Sequence, residues 1–278
     1  MKKWFYSCLL ALLFVSCLTE EELSMKNMGE VSDYFIECYC RPGTPFSLTI
    51  SKVIPISQLI KPDFSILMDI SITAGTPVTL DLVRPTYINN YGTKEVFRAY
   101  GIDSLYLHIT TPEQKKITAK TMIPSDITIN EATIEQHTAT IHFQTSRDAA
   151  ENYYIYTLQL IQADTLLKRE VSYLDCTTIP NTSTQHAITS SQMKEAEYVV
   201  FSLKRITREC YNYQISLNEA NSTQQGSITS PIPLNGNING SLGIFTCYTQ
   251  AFRTFQLREG SIVREITSPM LDTFNRYR

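Results

Sequence analysis

Apolar and polar residues alternate with a period of two along most of this chain. Phe46, Leu48 and Ile50 alternate with Ser47, Thr49 and Ser51. Phe64, Ile66, Met68, Ile70 and Ile72 alternate with Ser65, Leu67, Asp69 and Ser71. Leu105, Leu107 and Ile109 alternate with Tyr106 and His108, and Ala139, Ile141 and Phe143 with Thr140 and His142. Tyr154, Tyr156, Leu158 and Leu160 share one face, and so do Tyr211, Tyr213, Ile215 and Leu217. Successive strand side chains point to opposite faces, so this is the pattern of half-buried antiparallel strands. Helical periodicity is predicted only near 190–197 (SSQMKEAE), where a serine precedes helix formers. Turn residues punctuate the strands at Arg41-Pro42-Gly43, Ala74-Gly75-Thr76-Pro77, Asn89-Asn90-Tyr91-Gly92 and Asn235-Gly236-Asn237. Many short strands without intervening helices predict an all-β fold of sandwiches rather than a parallel α/β sheet.

Length and composition sharpen this picture. The chain has 278 residues, 43% hydrophobic and 18% charged, with a formal net charge of -3. That is too apolar for a disordered chain, and the absence of a basic excess argues against nucleic acid as a partner. A break at Ile123-Pro124-Ser125-Asp126 divides it into two tandem β-sandwich domains of immunoglobulin or fibronectin type, over 34–124 and 125–278.

The first residues carry an address. Lys2 and Lys3 precede twelve uncharged residues, Trp4 to Val15, and then Ser16 and Cys17. Twelve residues suit a signal-peptide core and fall short of the roughly 20 that span a bilayer. A small residue before a cysteine after such a run is the bacterial lipobox pattern. It predicts a signal peptide over 1–16, cleavage before Cys17 and acylation of the Cys17 thiol, with palmitate-like chains anchoring the protein to a membrane. Residues 17–33 then read as an acidic tether, and Glu20-Glu21-Glu22 resembles the export signal of Bacteroidota-type surface lipoproteins.

The residues nominate little chemistry. Of seven cysteines, Cys38, Cys40, Cys176, Cys210 and Cys247 remain after Cys8 and Cys17, an odd number that is no disulfide framework. Cys38 and Cys40 face the same way in a strand, a poor geometry for a mutual disulfide, and pack as small apolar groups. His108, His137, His142 and His186 form no H-E-x-x-H set, and no zinc spacing, G-x-S-x-G elbow or phosphate loop is present. No catalytic, cofactor or metal residues are therefore named, and the chain is expected not to be an enzyme. Tyr153-Tyr154-x-Tyr156 and Tyr211-x-Tyr213 suit strand packing, with stacking on a sugar or a protein as the functional alternative. Asp103-Ser104-Leu105 and Asp164-Thr165-Leu166 match a short O-glycosylation sequon, which makes Ser104 and Thr165 its candidate acceptors.

Several segments resemble one family in order and spacing. These are Tyr34-Phe35-Ile36-Glu37-Cys38-Tyr39-Cys40 followed by Pro42-Gly43-x-Pro45-Phe46-x-Leu48-Thr49-Ile50, then Thr121-Met122-Ile123-Pro124, Asn152-Tyr153-Tyr154, and Asn237-Ile238-Asn239-Gly240-Ser241-Leu242-Gly243-Ile244-Phe245-Thr246. They resemble the Bacteroidota outer-membrane lipoproteins grouped as domain of unknown function 4249, with Ser241 standing where glycine is usual. The last segment reads as a turn into a strand, with Gly240 and Gly243 allowing positive φ or close backbone approach and Leu242, Ile244 and Phe245 entering the core. The resemblance implies a surface lipoprotein of the cell outer membrane, often beside a TonB-dependent receptor, and supplies no catalytic residues. A non-catalytic binding or accessory role, toward a receptor or a glycan, is the leading expectation. An adhesin or fimbria-like subunit, with Ile262–Thr267 as donor strand, and a glycan-acting enzyme are the alternatives.

Overall fold

A computed structural model of the chain describes residues 34–52, 68–84, 89–163, 165–223 and 233–266. Among these residues the fold is all-β apart from one α-helix and two single 3₁₀ turns. The first eight strands are β1 (Tyr34–Cys40), β2 (Pro45–Lys52), β3 (Asp69–Ala74), β4 (Thr76–Thr79), β5 (Asp81–Arg84), β6 (Asn89–Val96), β7 (Ser104–Thr110) and β8 (Lys116–Met122). There follow β9 (Ile129–Glu135), β10 (Thr138–Gln144), β11 (Tyr153–Gln162), β12 (Thr165–Asp175), β13 (Ser183–Thr189) and β14 (Tyr198–Ile206). The helix α1 (Arg208–Thr223) comes next, and then β15 (Ile238–Asn239), β16 (Leu242–Arg258) and β17 (Ser261–Glu265).

The strands form three sheets. The largest runs β12-β11-β14-β16-β1-β2-β6-β5, with β17 added to β16. A five-stranded sheet, β15-β8-β7-β3-β4, packs on its β1–β2 end, and a three-stranded sheet, β13-β10-β9, packs on its β11–β14 end. Each packing encloses a hydrophobic core. The first gathers Ile36, Leu48, Ile50, Ile70, Ile72, Leu105, Leu107 and Ile117. The second gathers Ile141, Phe143, Tyr154, Tyr156, Leu158, Phe201 and Leu203. The alternation read in the sequence is this inward set, because a strand half-buried in a sandwich turns every second side chain to the core.

The strand β16 belongs to both lobes. Residues 242–247 pair in parallel with β1, and residues 248–256 pair antiparallel with β14. Ile238, Phe245 and Cys247 complete the first core, while Phe255 and Leu257 complete the second. The first core thus draws residues from both sides of the 124/125 line, and one continuous sheet joins the lobes.

Three local expectations are corrected. Asn89-Asn90-Tyr91-Gly92 is not a turn but the start of β6, held between β2 and β5 with Tyr91 buried in the first core. Residues 191–194 form only a 3₁₀ turn, and the Ser190 side chain makes no capping bond there. Residues 211–217 are helical rather than extended. Thr207 starts that helix by accepting the Cys210 amide at 3.2 Å, and Cys210, Tyr213 and Ser216 form its buried stripe at a spacing of three.

The Asn237–Phe245 segment fits its reading as a turn into a strand. Gly240 and Gly243 both hold positive φ, +86° and +114°. Asn237 accepts the Phe245 amide at 2.9 Å and donates to the carbonyls of Phe245 (2.8 Å) and Lys120 (3.1 Å), so one side chain ties β16 to β8. Ile244 and Phe245 are fully buried, but Leu242, at the first position of β16, is 42% exposed.

Candidate binding clefts

The residues singled out from the sequence fall in different places. Cys17 and the 17–33 tether lie outside the described residues. Ser104 opens β7, half-buried, and Thr165 opens β12, exposed. The histidines are dispersed: His108 and His142 lie outward on β7 and β10, while His186 lies edge-on to Tyr156 with ring centroids 5.8 Å apart. Tyr154, Tyr156 and Tyr213 are fully buried, so the tyrosine runs serve the cores and the helix contact. Among the described residues the exposed tyrosines are instead Tyr39, Tyr100 and Tyr106, each set among different neighbours in sequence.

The five described cysteines are free, four of them buried and Cys176 intermediate. Cys38 and Cys40 lie in the first core with sulfurs 3.6 Å apart and unbonded, as their same-face spacing requires. Burial pushes the Cys210 and Cys247 thiols up to about 12. A buried thiol held in its neutral form is a poor nucleophile. Among these five, only Cys176 is therefore expected to react with a disulfide reagent at pH 8 in the native protein. Titration of the other four at a comparable rate, without denaturant, would contradict the burial.

Besides a small concavity of about 220 Å³ between Tyr153 and the start of α1, two larger ones are candidate sites. The larger, of about 610 Å³, lies where the chain passes between lobes. The β1–β2 turn (Pro42, Gly43), the 96–102 segment and the linker Ile123–Asp126 line it. Tyr100 at its rim is 86% exposed. The linker is fixed from beneath by Arg205, only 3% exposed, which donates to Ser125 O (3.1 Å), Ser125 Oγ (2.6 Å) and Asp126 O (2.7 Å). Glu151 accepts the Ser125 amide and hydroxyl on the other side.

The second concavity, of about 350 Å³, lies on the face of the large sheet turned away from the second core, with α1 as one wall. Strand alternation puts Tyr39 of β1, Arg169 and Tyr173 of β12, Lys204 of β14 and Tyr248 of β16 on this one face. The helix adds Gln214, which donates to Tyr39 Oη at 3.1 Å and accepts from Tyr173 Oη at 3.3 Å. Glu37 accepts from Tyr39 and from Tyr213. The Lys204 ammonium stands 4.6 Å from the Tyr248 ring centroid. Burial and the neighbouring Glu37 carboxylate raise the Tyr39 phenol well above its usual range, and burial does the same to Tyr173. Both therefore stay neutral at physiological pH, and the groove offers phenols, an amide and two cations. Sequence reasoning missed it because its residues come from six separate elements.

Among the described residues there is no group of three or more histidine, cysteine or acidic side chains able to hold a metal ion, and no helix long and apolar enough to cross a membrane.

No curated protein matches the chain. Among solved structures it is similar to the crystal structure of a DUF4785 family protein from Legionella pneumophila, with 14% identity over 60% of this chain and 51% of that one, at a TM-score of 0.25. The chain thus spans about half the length of that protein. The model of the family described as domain of unknown function (DUF4249) matches residues 21–254, from before β1 to within β16. That span includes most residues of both cores, and the chain belongs to the DUF4249 family.

Proposed function

We propose that the chain is a lipid-anchored, non-catalytic binding or accessory protein on the outer face of a Bacteroidota-type outer membrane. The observation that carries this reading is the lipobox at Ser16-Cys17, followed directly by Glu20-Glu21-Glu22. Acyl chains on Cys17 hold the protein by burying CH₂ groups at about 0.8 kcal/mol each, and two or three chains make that hold stable. The tether 18–33 gives the folded part reach from the bilayer, and its acidic start is the export signal to the surface. The open, solvated clefts support a binding role, since they offer tyrosine faces and charged side chains rather than an enclosed catalytic chamber. A TonB-dependent receptor is the first partner to test. Of the segment offered for a donor strand, Ile262–Thr267, residues up to Glu265 pair with β16 of their own chain, which favours the accessory reading over a fimbria-like subunit.

Globomycin treatment should leave an unprocessed precursor, and Cys17→Ala should move the protein from the membrane fraction to the soluble one. Externally added protease should digest the wild-type protein on intact cells. A mature protein without acyl groups, free in the periplasm or medium, would overturn the proposal. Pull-down from native membranes tests the receptor separately.

A further inference from the structure

The groove beside α1 combines features that a bare sandwich face does not require. The outward face of a solvated sheet usually carries short polar or scattered charged side chains. Here three tyrosines, Tyr39, Tyr173 and Tyr248, converge with Gln214 from the helix and with Arg169 and Lys204 from two strands. Tyr39 is 38% exposed although its hydroxyl is held by Gln214, so its orientation is fixed while its ring stays accessible. Such a ring loses little freedom when a ligand docks on it. The two cations give the lining a positive sign in a chain whose overall charge is -3. Glu37, the nearby carboxylate, is occupied by the hydroxyls of Tyr39 and Tyr213.

We infer that this groove binds an acidic saccharide, with sugar rings against Tyr39 and Tyr173 and a sugar carboxylate met by Arg169. Tyrosine faces suit the C–H faces of a pyranose, and phenol and amide groups suit its hydroxyls. A guanidinium matches a carboxylate in a fork, and a partly desolvated site strengthens that contact. A lipid chain fits less well, because it would displace water from the Arg169 and Lys204 charges and offer them no hydrogen bond. Binding in the groove does not depend on whether Cys17 is acylated.

The full-length protein in detergent is titrated calorimetrically with carboxylated oligosaccharides, namely oligogalacturonate, hyaluronan fragments and sialyllactose, and with their methyl esters. At least one acid is expected to bind, and its ester at least tenfold more weakly. Arg169→Gln and Tyr39→Ala should each weaken binding at least tenfold, and Tyr100→Ala, in the other cleft, should leave it unchanged. Arg169 is exposed on an edge strand, so Arg169→Gln should keep the wild-type circular dichroism and melting curve. The inference fails if none of the three acids binds, if acid and ester bind alike, if Arg169→Gln and Tyr39→Ala bind as wild type, or if polyglutamate binds in the groove and the saccharides do not.

Discussion

Gly243→Ala is expected to prevent the chain from folding. A Cβ at that position would lie 1.8 Å from the Ile36 carbonyl oxygen and 2.7 Å from its carbon, inside the parallel pairing of β16 with β1. The residue also holds φ at +114°, where an L side chain is strained even in open space. On its other side, the Gly243 carbonyl occupies the place of a Cβ at Gly236, 1.9 Å away. Three backbones are therefore stacked with no room between them, and none is the far end of a flexible side chain. The cost should exceed about 4 kcal/mol, the range reserved for strain that the surroundings cannot relax. Gly101→Ala provides the contrast. It too has positive φ, +68°, but nothing lies within 4 Å of its Cβ, so only the backbone cost of about 1 kcal/mol applies. Urea denaturation of both variants should show one unfolded or aggregated and the other nearly wild type. If Gly243→Ala unfolds at a midpoint near that of the wild type, the parallel β1–β16 register is incorrect.

The same segment shows what the sequence made legible. Two glycines three apart at the entry to an apolar strand pointed to close approach or positive φ, and the structure shows both. The inward faces of β2, β7, β10 and β11 were readable because period-two alternation follows from local chain geometry and needs no knowledge of partners. The helix 208–223 was not readable in the same way. Its buried stripe includes a serine, Ser216, and a cysteine, Cys210, so its apolar positions do not recur at helical spacing, while Tyr211, Tyr213, Ile215 and Leu217 mimic a strand. The signal that could have found it was the Thr207 cap with Glu209 in the first turn. The sharing of β16 between lobes was also hidden. Seventeen residues without a turn signal say that a strand is long, but not that its halves serve different cores. The grooves were least legible. Tyr39 and Tyr248 are far apart in sequence and meet only through β1–β16 pairing, and nothing beside either of them in the sequence marks the shared groove.

Arg205→Met is the second substitution with a large expected effect, because one guanidinium holds together what passes between the lobes. Nη1 donates to Ser125 O, Ser125 Oγ and Asp126 O on the linker, and Nη2 reaches Gln144 O at the end of β10 at 3.4 Å. The guanidinium carbon stands 5.6 Å from the Tyr154 ring centroid, and Nε has no partner among the described residues. Ser125 in turn donates to Glu151, which also accepts from Ser146 at 2.8 Å. Methionine has a similar volume and leaves the packing against Tyr154 largely intact, so its cost isolates the polar contacts. Asp126 O and Gln144 O then lose this donor, and Ser125 O keeps the Thr249 hydroxyl at 2.7 Å. Both carbonyls belong to exposed residues and water can meet part of the loss, so at about 1–1.5 kcal/mol for each lost bond the cost lies near 2–3 kcal/mol. Arg205→Lys should recover little. An ammonium is a compact charge that cannot reach the linker and Gln144 together, whereas the planar fork spans both. The expected signature is lower stability for both variants, with faster amide exchange concentrated at Ser125, the linker amide that is hydrogen-bonded to Glu151. Exchange there unchanged from wild type, together with an unchanged denaturation midpoint in Arg205→Met, would show that the linker is held by other contacts.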